Sequence, residues 1–336
     1  MTSVPGSFVA LDDPQFARAL DQDMERVEVG LRAAVQHVDE FIGAASVHLL
    51  QAGGKRLRPL LTLLAGQLGP GAPAPASEEV VKAAVVVELT HLASLYHDDV
   101  MDESALRRGV PSANARYGNT VAILTGDLLF ARASRVVADL GADAVRIQAS
   151  TFERLCAGQI RETVGPASGC DPVEHYLSVL ADKTGSLIAT AGLFGARFAG
   201  CDEGTVEVMR SYGERLGVAF QLADDLIDLA SPAEASGKAP GTDLREGVPT
   251  LPVLLVRRAD DPADAQLLEL LAGTLDDDAR LAAALDLLRR HPALDQARLE
   301  TQRWADQAGA ALAPLPGGPI KAALQDLAAA VVQRDA

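Results

Sequence analysis

The feature that most limits the fold is where proline is missing. Three stretches, residues 76–110, 112–165 and 173–231, contain none. Within them apolar residues recur at three- and four-residue spacing with little strict alternation, which predicts long helices or helix pairs. Breaks are expected where Pro and Gly gather, at residues 69–76, 165–172, 231–252 and 313–319, with shorter joints at Gly118 and Gly141. Aromatics make up only 4% of the chain while hydrophobic residues reach 48%, so the core must be built from Ala, Leu and Val, which suits close-packed helices better than sheets. No repeat, low-complexity linker or composition shift divides the 336 residues. The expectation is an all-α chain of ten or more helices, with a loose tail over residues 1–12 and one helical domain over 13–336.

Charge excludes some function classes. The formal net charge is −16 and no basic stripe is visible, which argues against a nucleic-acid partner. Met1 to Leu11 shows neither the basic start nor the apolar run of a signal peptide, and no stretch approaches the roughly 18–20 apolar residues of a membrane span. Cys156, Cys170 and Cys201 lack metal-ligand spacing and read as reduced thiols of a cytoplasmic protein. The chain holds 25 Arg but only five Lys, at 55, 82, 183, 238 and 321. Three of these five fall inside the motifs below, where a compact ammonium has a use.

Two acidic motifs carry the sharpest signal. Asp98-Asp99-Val100-Met101-Asp102 and Asp224-Asp225-Leu226-Ile227-Asp228 each read DDxxD at the end of a strongly apolar run. The i, i+4 spacing puts Asp98 and Asp102 on one helix face, one turn apart, and does the same for Asp224 and Asp228. Three carboxylates within five residues repel one another, so a counter-charge is expected beside a buried face. Magnesium fits, because it takes oxygen ligands and is commonly shared between one or two carboxylates and substrate phosphates. The bland reading is a solvated acidic patch, which the second copy makes harder to sustain. Neither copy has the Gly and terminal Glu of a calcium loop.

Cations stand near both motifs in sequence. Gly53-Gly54-Lys55-Arg56-Leu57-Arg58-Pro59 packs three of them behind two glycines. Glycines let a backbone approach phosphate, while Lys and Arg supply charge and forked donors. Arg107-Arg108-Gly109 follows the first acidic motif, Lys183-Thr184 lies in a helical stretch, and Gly237-Lys238 follows the second motif. Anion sites, a divalent metal and cations together are the layout expected for diphosphate.

The combination resembles the trans-prenyl diphosphate synthases, most of all the bacterial long-chain polyprenyl enzymes. The matching segments are GGKRLRP, DDVMD followed by LRRG, AILTGDLL at 122–129, DKTG at 182–185, FQLADDLID at 220–228 and GKAPGTDLREGVPTLP at 237–252. The resemblance implies one large helical bundle of the isoprenoid synthase type around a central apolar cavity. It implies that Lys55, Arg58, His91 and Arg108 hold isopentenyl diphosphate, and that Arg107, Lys183 and Lys238 surround the allylic diphosphate. Thr184 and Gln221 then match the polar groups near the developing cation. Asp98, Asp102, Asp224 and Asp228 match the magnesium ligands, with Asp99 and Asp225 as lesser candidates and three ions expected once substrate is bound. A homodimer is also implied. His91 has a bland alternative as a satisfied core histidine, and His97 reads as structural.

The implied reaction is head-to-tail condensation of isopentenyl diphosphate with an allylic diphosphate. Short-chain members place bulky residues four or five positions before the first Asp of the first motif. Here those positions are Ser94 and Ala93, both small, which points to a product of about six to ten isoprene units (C30–C50), with geranylgeranyl diphosphate as the runner-up. The competing reading of Ala93 and Ser94 is close helix packing. Two other functions stand against the synthase: a class I terpene cyclase, which would not need GGKRLRP, and a non-catalytic regulatory subunit, which would tend to lose aspartates that this chain retains.

Overall fold

The computed structural model describes residues 13–72, 74–230 and 241–333, and the tail expected over residues 1–12 lies outside them. The first helices are α1 (Pro14–Val35), α2 (Glu40–Gln51), α3 (Leu57–Gly66) and α4 (Glu78–Met101). A short hairpin, β1 (Leu106–Arg107) with β2 (Val110–Pro111), leads into α5 (Ala113–Tyr117), α6 (Asn119–Ala138) and α7 (Ala142–Val164). Next come α8 (Pro172–Leu180), a π-helical turn at Ala181–Gly185, α9 (Ser186–Phe198) and α10 (Glu203–Ala230). The described remainder holds α11 (Thr242–Arg245), α12 (Leu251–Ala259), a 3₁₀ turn (Pro262–Asp264), α13 (Ala265–Leu270), α14 (Asp278–Arg290), α15 (Pro292–Ala311) and α16 (Pro319–Val332). The architecture is all-α, as expected, and no described helix is long and apolar enough to cross a membrane.

The expected breaks coincide with real helix ends, and local chemistry explains them. Ser77 caps α4, its hydroxyl accepting from the Val80 amide at 3.3 Å, and Glu78 and Glu79 complement the positive end of the helix. Asp171 caps α8 through the Val173 amide at 2.8 Å, with Pro172 in the first turn, where its missing N–H does no harm. The hairpin was not expected inside the run 76–110. Arg108 and Gly109 form its turn at φ 55° and 78°, the two left-handed residues that a two-residue type I′ turn requires.

Residues group into two compact units. The first takes in the described residues up to Glu153, with 187–213 and 311–327. Its central element is α4, which packs against α1, α3 and α6. Val80 to Val87 are almost all buried, as are Leu89, Leu92 and Ala93, so α4 is apolar nearly all round, as a helix enclosed by others must be. Its polar Tyr96 is also enclosed, and the hydroxyl donates to Ala45 O at 2.5 Å. The second unit takes in 154–186, the described part of 214–310 and 328–333. Its core joins α8, α10, α12 and α14 through Val173, Leu180, Leu222, Leu254 and Leu285.

Candidate active site

In the first unit the glycine-rich loop and the basic hairpin meet. Arg108 donates to Leu49 O at 3.1 Å and to Gly53 O. A Cβ on Gly54 would lie 2.7 Å from the Arg108 guanidinium, so the second glycine makes room for this side chain. Arg56, the middle cation of GGKRLRP, turns inward. It is 5% exposed and binds Glu28 at 2.6 Å, Glu88 at 3.1 Å and the carbonyls of Gly53 and Leu50. Arg56 therefore holds the loop down, while Lys55 is exposed and Arg58 half-buried on either side of it.

His91 lies one turn along α4 from Glu88 and is part-buried. Burial first, then the charges of Arg58 and Arg108, hold its imidazole well below the usual histidine range, so the ring is neutral. The charges of Arg58 and Arg108 thus act on the His91 ring. A neutral ring among guanidinium groups can hydrogen-bond an anion without adding to their mutual repulsion.

Seven residues further along α4, about 10 Å of helical rise, stands the first acidic motif. Asp98 is part-buried and Asp102 exposed, and the Asp102 amide bonds Asp98 O at 2.8 Å, so the turn between them is intact. Asp99 points the other way and is fully buried. Arg107 Nε donates to its Oδ1 at 2.6 Å, and the Ala113 amide approaches its Oδ2 at 3.4 Å. Asp99 thereby ties the hairpin and the start of α5 to the motif. His97 bonds Ile123 O at 3.1 Å and sits 3.3 Å from Asp127 on α6. The structural role expected for it agrees with this placement.

The second unit carries the other acidic motif near the end of α10. Asp225 is 7% exposed. Gln221, one turn earlier, donates to its Oδ1 at 3.0 Å, and the Tyr176 hydroxyl of α8 donates to its Oδ2. Burial, against these two neutral donors, pushes the Asp225 carboxyl up to about 6. Burial and Asp225 together push the Tyr176 phenol well above its ordinary value. Asp228 accepts the backbone amides of Thr242 at 3.3 Å and Asp243 at 3.1 Å, which fixes the start of α11. Lys238 lies outside the described residues.

DKTG occupies the π-helical turn, a feature that often marks functional sites. The turn is clamped from α7. Arg154 pairs with Asp182 at 2.8 Å and with Glu214 at 2.6 Å, while Arg161 also pairs with Asp182. A Cβ on Gly158 would come 2.8 Å from the Lys183 amide, so α7 lies directly on the turn. Lys183 pairs with Glu162 at 2.6 Å, and the Thr184 hydroxyl donates to Gln221 Oε1 at 3.3 Å. Sequence reasoning missed Tyr176, Arg154 and Asp182. Asp182 opens DKTG but carries no role in that reading, the other two lie in no quoted motif, and their contacts reveal all three.

The first unit carries a basic loop with one acidic turn, and the second carries a π-turn with the other. The polyprenyl synthetase family profile matches residues 39–288. The chain belongs to the polyprenyl synthetase family. It is 48% identical to a nonaprenyl diphosphate synthase of Mycobacterium tuberculosis, over 97% of this chain and 96% of the relative. Among solved structures it is similar to a geranylgeranyl pyrophosphate synthase of Corynebacterium glutamicum complexed with calcium and isoprenyl diphosphate. That match has a TM-score of 0.85 at 45% identity and covers 97% of this chain and 99% of the other. A decaprenyl diphosphate synthase of Rhodobacter capsulatus matches with a TM-score of 0.85 at 36% identity, covering 95% of this chain and 98% of the other. This member of the family is a prenyltransferase.

The donor set also suits the metal that the family implies. Among the described residues no three His, Cys, Asp or Glu side chains gather into a metal cage. The Asp98–Asp102 face offers carboxylate oxygens alone, as a hard cation such as magnesium prefers. Intact helical backbone holds the two aspartates one turn apart. Such a face can share an ion with a phosphate ligand.

Proposed function

We propose that this prenyltransferase condenses isopentenyl diphosphate, head to tail, onto an allylic diphosphate to give an all-trans chain of about C30–C50. The observation that carries the reading is the layout of α4. That one rigid helix bears His91 among Arg58 and Arg108, and then, two turns on, the Asp98–Asp102 face. A helix that carries one member of a diphosphate-binding cluster and, two turns on, a metal-binding face suits a reaction between two diphosphates.

Each side chain then has a task. Lys55, Arg58 and Arg108 hold isopentenyl diphosphate, and neutral His91 adds a hydrogen bond. Arg107, Lys183 and Lys238 hold the allylic diphosphate. Asp98, Asp102, Asp224 and Asp228 would hold magnesium, three ions with substrate bound, and Asp99 and Asp225 orient their neighbours. When bound, magnesium supplies charge neutralisation for the departing diphosphate. Thr184 and Gln221 turn oxygen atoms toward the allylic cation as its C–O bond breaks. The isopentenyl double bond attacks that carbon, and the released diphosphate takes the proton that leaves. The growing chain occupies an apolar cavity. The calcium and isoprenyl diphosphate bound by the Corynebacterium relative support the divalent-metal part of this reading. We further propose that residues 13–336 act as one catalytic domain, in a cytoplasmic homodimer.

Product length has two readings. The nonaprenyl and decaprenyl relatives support the long product, while the geranylgeranyl relative keeps C20 open. Ala93 is fully buried, and both its carbonyl and the His97 ring one turn later lie against Gly126 of α6. The close approach accounts for the glycine at 126, and full burial alone gives Ala93 a packing reason to be small. Ser94 is 8% exposed and bonds His91 O at 2.8 Å, which leaves it as the better test of chain length. The decisive experiment incubates the purified protein alone with radiolabelled isopentenyl diphosphate, an allylic primer and magnesium, and sizes the dephosphorylated products. C30–C50 chains are expected, and Ser94→Phe should shorten them while keeping the first condensation. A C20 product selects the runner-up. No product until a partner protein is added would make the chain a regulatory subunit, and a cyclic hydrocarbon would make it a cyclase.

A further inference from the structure

Asp225 lies inside an acidic motif, yet its nearest partners are not cations. Its Oδ1 takes a hydrogen bond from Gln221 Nε2 at 3.0 Å, and its Oδ2 takes one from the Tyr176 hydroxyl. Gln221 Oε1 in turn accepts from Thr184 Oγ1 at 3.3 Å. These contacts form a single string, from the Tyr176 oxygen through Asp225 and Gln221 to Thr184, across α8, α10 and the π-turn. Directionality follows from the donors. The Gln221 NH₂ donates to Asp225 and the Thr184 hydroxyl donates to the Gln221 oxygen, so the amide is oriented from both ends with its oxygen on the side away from Asp225. That oxygen carries the partial negative charge a developing carbocation needs. A flipped amide would present N–H groups there instead.

Asp225 can enforce this orientation only if it is itself held. A carboxylate with one hydrogen-bonded oxygen can rotate toward either flanking aspartate's surroundings, and the amide can follow it. Tyr176 supplies the second point of attachment, from another helix. Its ring packs with Val173 and Leu180 in the core of the second unit, and α8 has its own cap at Asp171, so the hydroxyl can be removed while the ring still seats the helix.

We infer that Tyr176 is a positioning residue, which acts through Asp225 to keep the Gln221 carbonyl oxygen facing the reaction. The inference rests on the proposed function for what that oxygen does, but the string itself is independent of that reading.

The test is Tyr176→Phe, which removes one oxygen and leaves the ring. Turnover is expected to fall about 10- to 100-fold, the range seen when a partner behind a site residue is lost. KM for isopentenyl diphosphate should stay within about twofold, because the effect is confined to a transition-state contact. The double variant Tyr176→Phe/Gln221→Leu should be no slower than Gln221→Leu alone, since both changes cut one string. A readout apart from activity follows the amide directly. With selectively ¹⁵N-labelled glutamine, the Gln221 side-chain signal, assigned by its loss in Gln221→Leu, should exchange its protons about tenfold faster in Tyr176→Phe. Asp225→Asn cuts the next link and should speed that exchange similarly, which keeps the test alive if Tyr176→Phe folds poorly. Wild-type turnover in Tyr176→Phe, a parallel rise in KM for isopentenyl diphosphate, additive losses in the double variant, or unchanged exchange in both single variants would each overturn the inference. A wild-type protein that makes no prenyl chain would overturn the proposed function instead, and the exchange measurement would still decide about Tyr176.

Discussion

The two acidic motifs read alike, but their middle aspartates live differently. Asp99 is fully buried and meets a guanidinium, Arg107, at 2.6 Å. Asp225 is nearly as buried and meets an amide and a phenol. One motif balances charge with charge, and the other relies on neutral donors and raises the carboxyl's affinity for its proton. His91 shows the converse case, a base enclosed by cations and driven to neutrality. Burial penalises charge of either sign, and the partner a fold supplies decides how the penalty is met. The lesson is that a repeated motif need not mean a repeated environment.

The largest expected effect treats the motifs as equivalent. Asp98→Ala and Asp224→Ala should each reduce turnover roughly a hundredfold to a thousandfold, the size of a lost transition-state contact. Circular dichroism and melting temperature should stay near wild type. A large loss in only one variant, at saturating magnesium, would show that the motifs differ in function as well as in surroundings.

The next effect separates them. Asp99→Asn leaves Arg107 without its counter-ion and should destabilise the fold by about 3 kcal/mol. Asp225→Asn has no ion pair to break and should shift stability by about 1 kcal/mol or less. Urea denaturation of the metal-free variants measures both, and equal losses would erase the contrast.

A smaller effect sorts the cations. Arg58→Ala should raise KM for isopentenyl diphosphate about tenfold, the equivalent of one charge-assisted hydrogen bond, and should move the primer KM less. Lys183→Ala should show the opposite bias. Steady-state kinetics with each substrate varied in turn decides it, and equal shifts would mean that the two substrates share these cations.

The smallest effect concerns pH. The folded-state pKa of His91 lies below its ordinary value of 6.5. Below that value the unfolded chain binds a proton that the folded ring refuses, so the contribution of His91 is fully present above about pH 6.5 and declines as pH falls. Wild type should therefore lose stability relative to His91→Gln between pH 7 and pH 5, as denaturation midpoints would show. A constant difference across that range would mean that the imidazole titrates normally.

Much of the fold was legible because helices are specified locally. The proline-free runs became α4, α6, α7 and α10, and Gly118 and Gly141 fell at helix starts. The i, i+4 spacing of Asp98 and Asp102 survived unchanged because a helix enforces it. The hairpin at Arg108-Gly109 was harder to read. Its strands are two residues long, too short to show any alternation.

The linear order of residues determined which chemistry this protein can attempt: paired carboxylates on apolar helices, cations behind glycines, and a Lys-Thr pair in a helical stretch. Only the tertiary structure decided which members of each motif face inward as supports. It turned Arg56 onto Glu28 and Glu88, and left Lys55 exposed. It gave Asp99 an arginine and Asp225 a tyrosine 49 residues away. A motif records side-chain types at fixed spacing along one element, whereas a buried polar group takes its partner from whichever element packs against it, and that choice is made by the core.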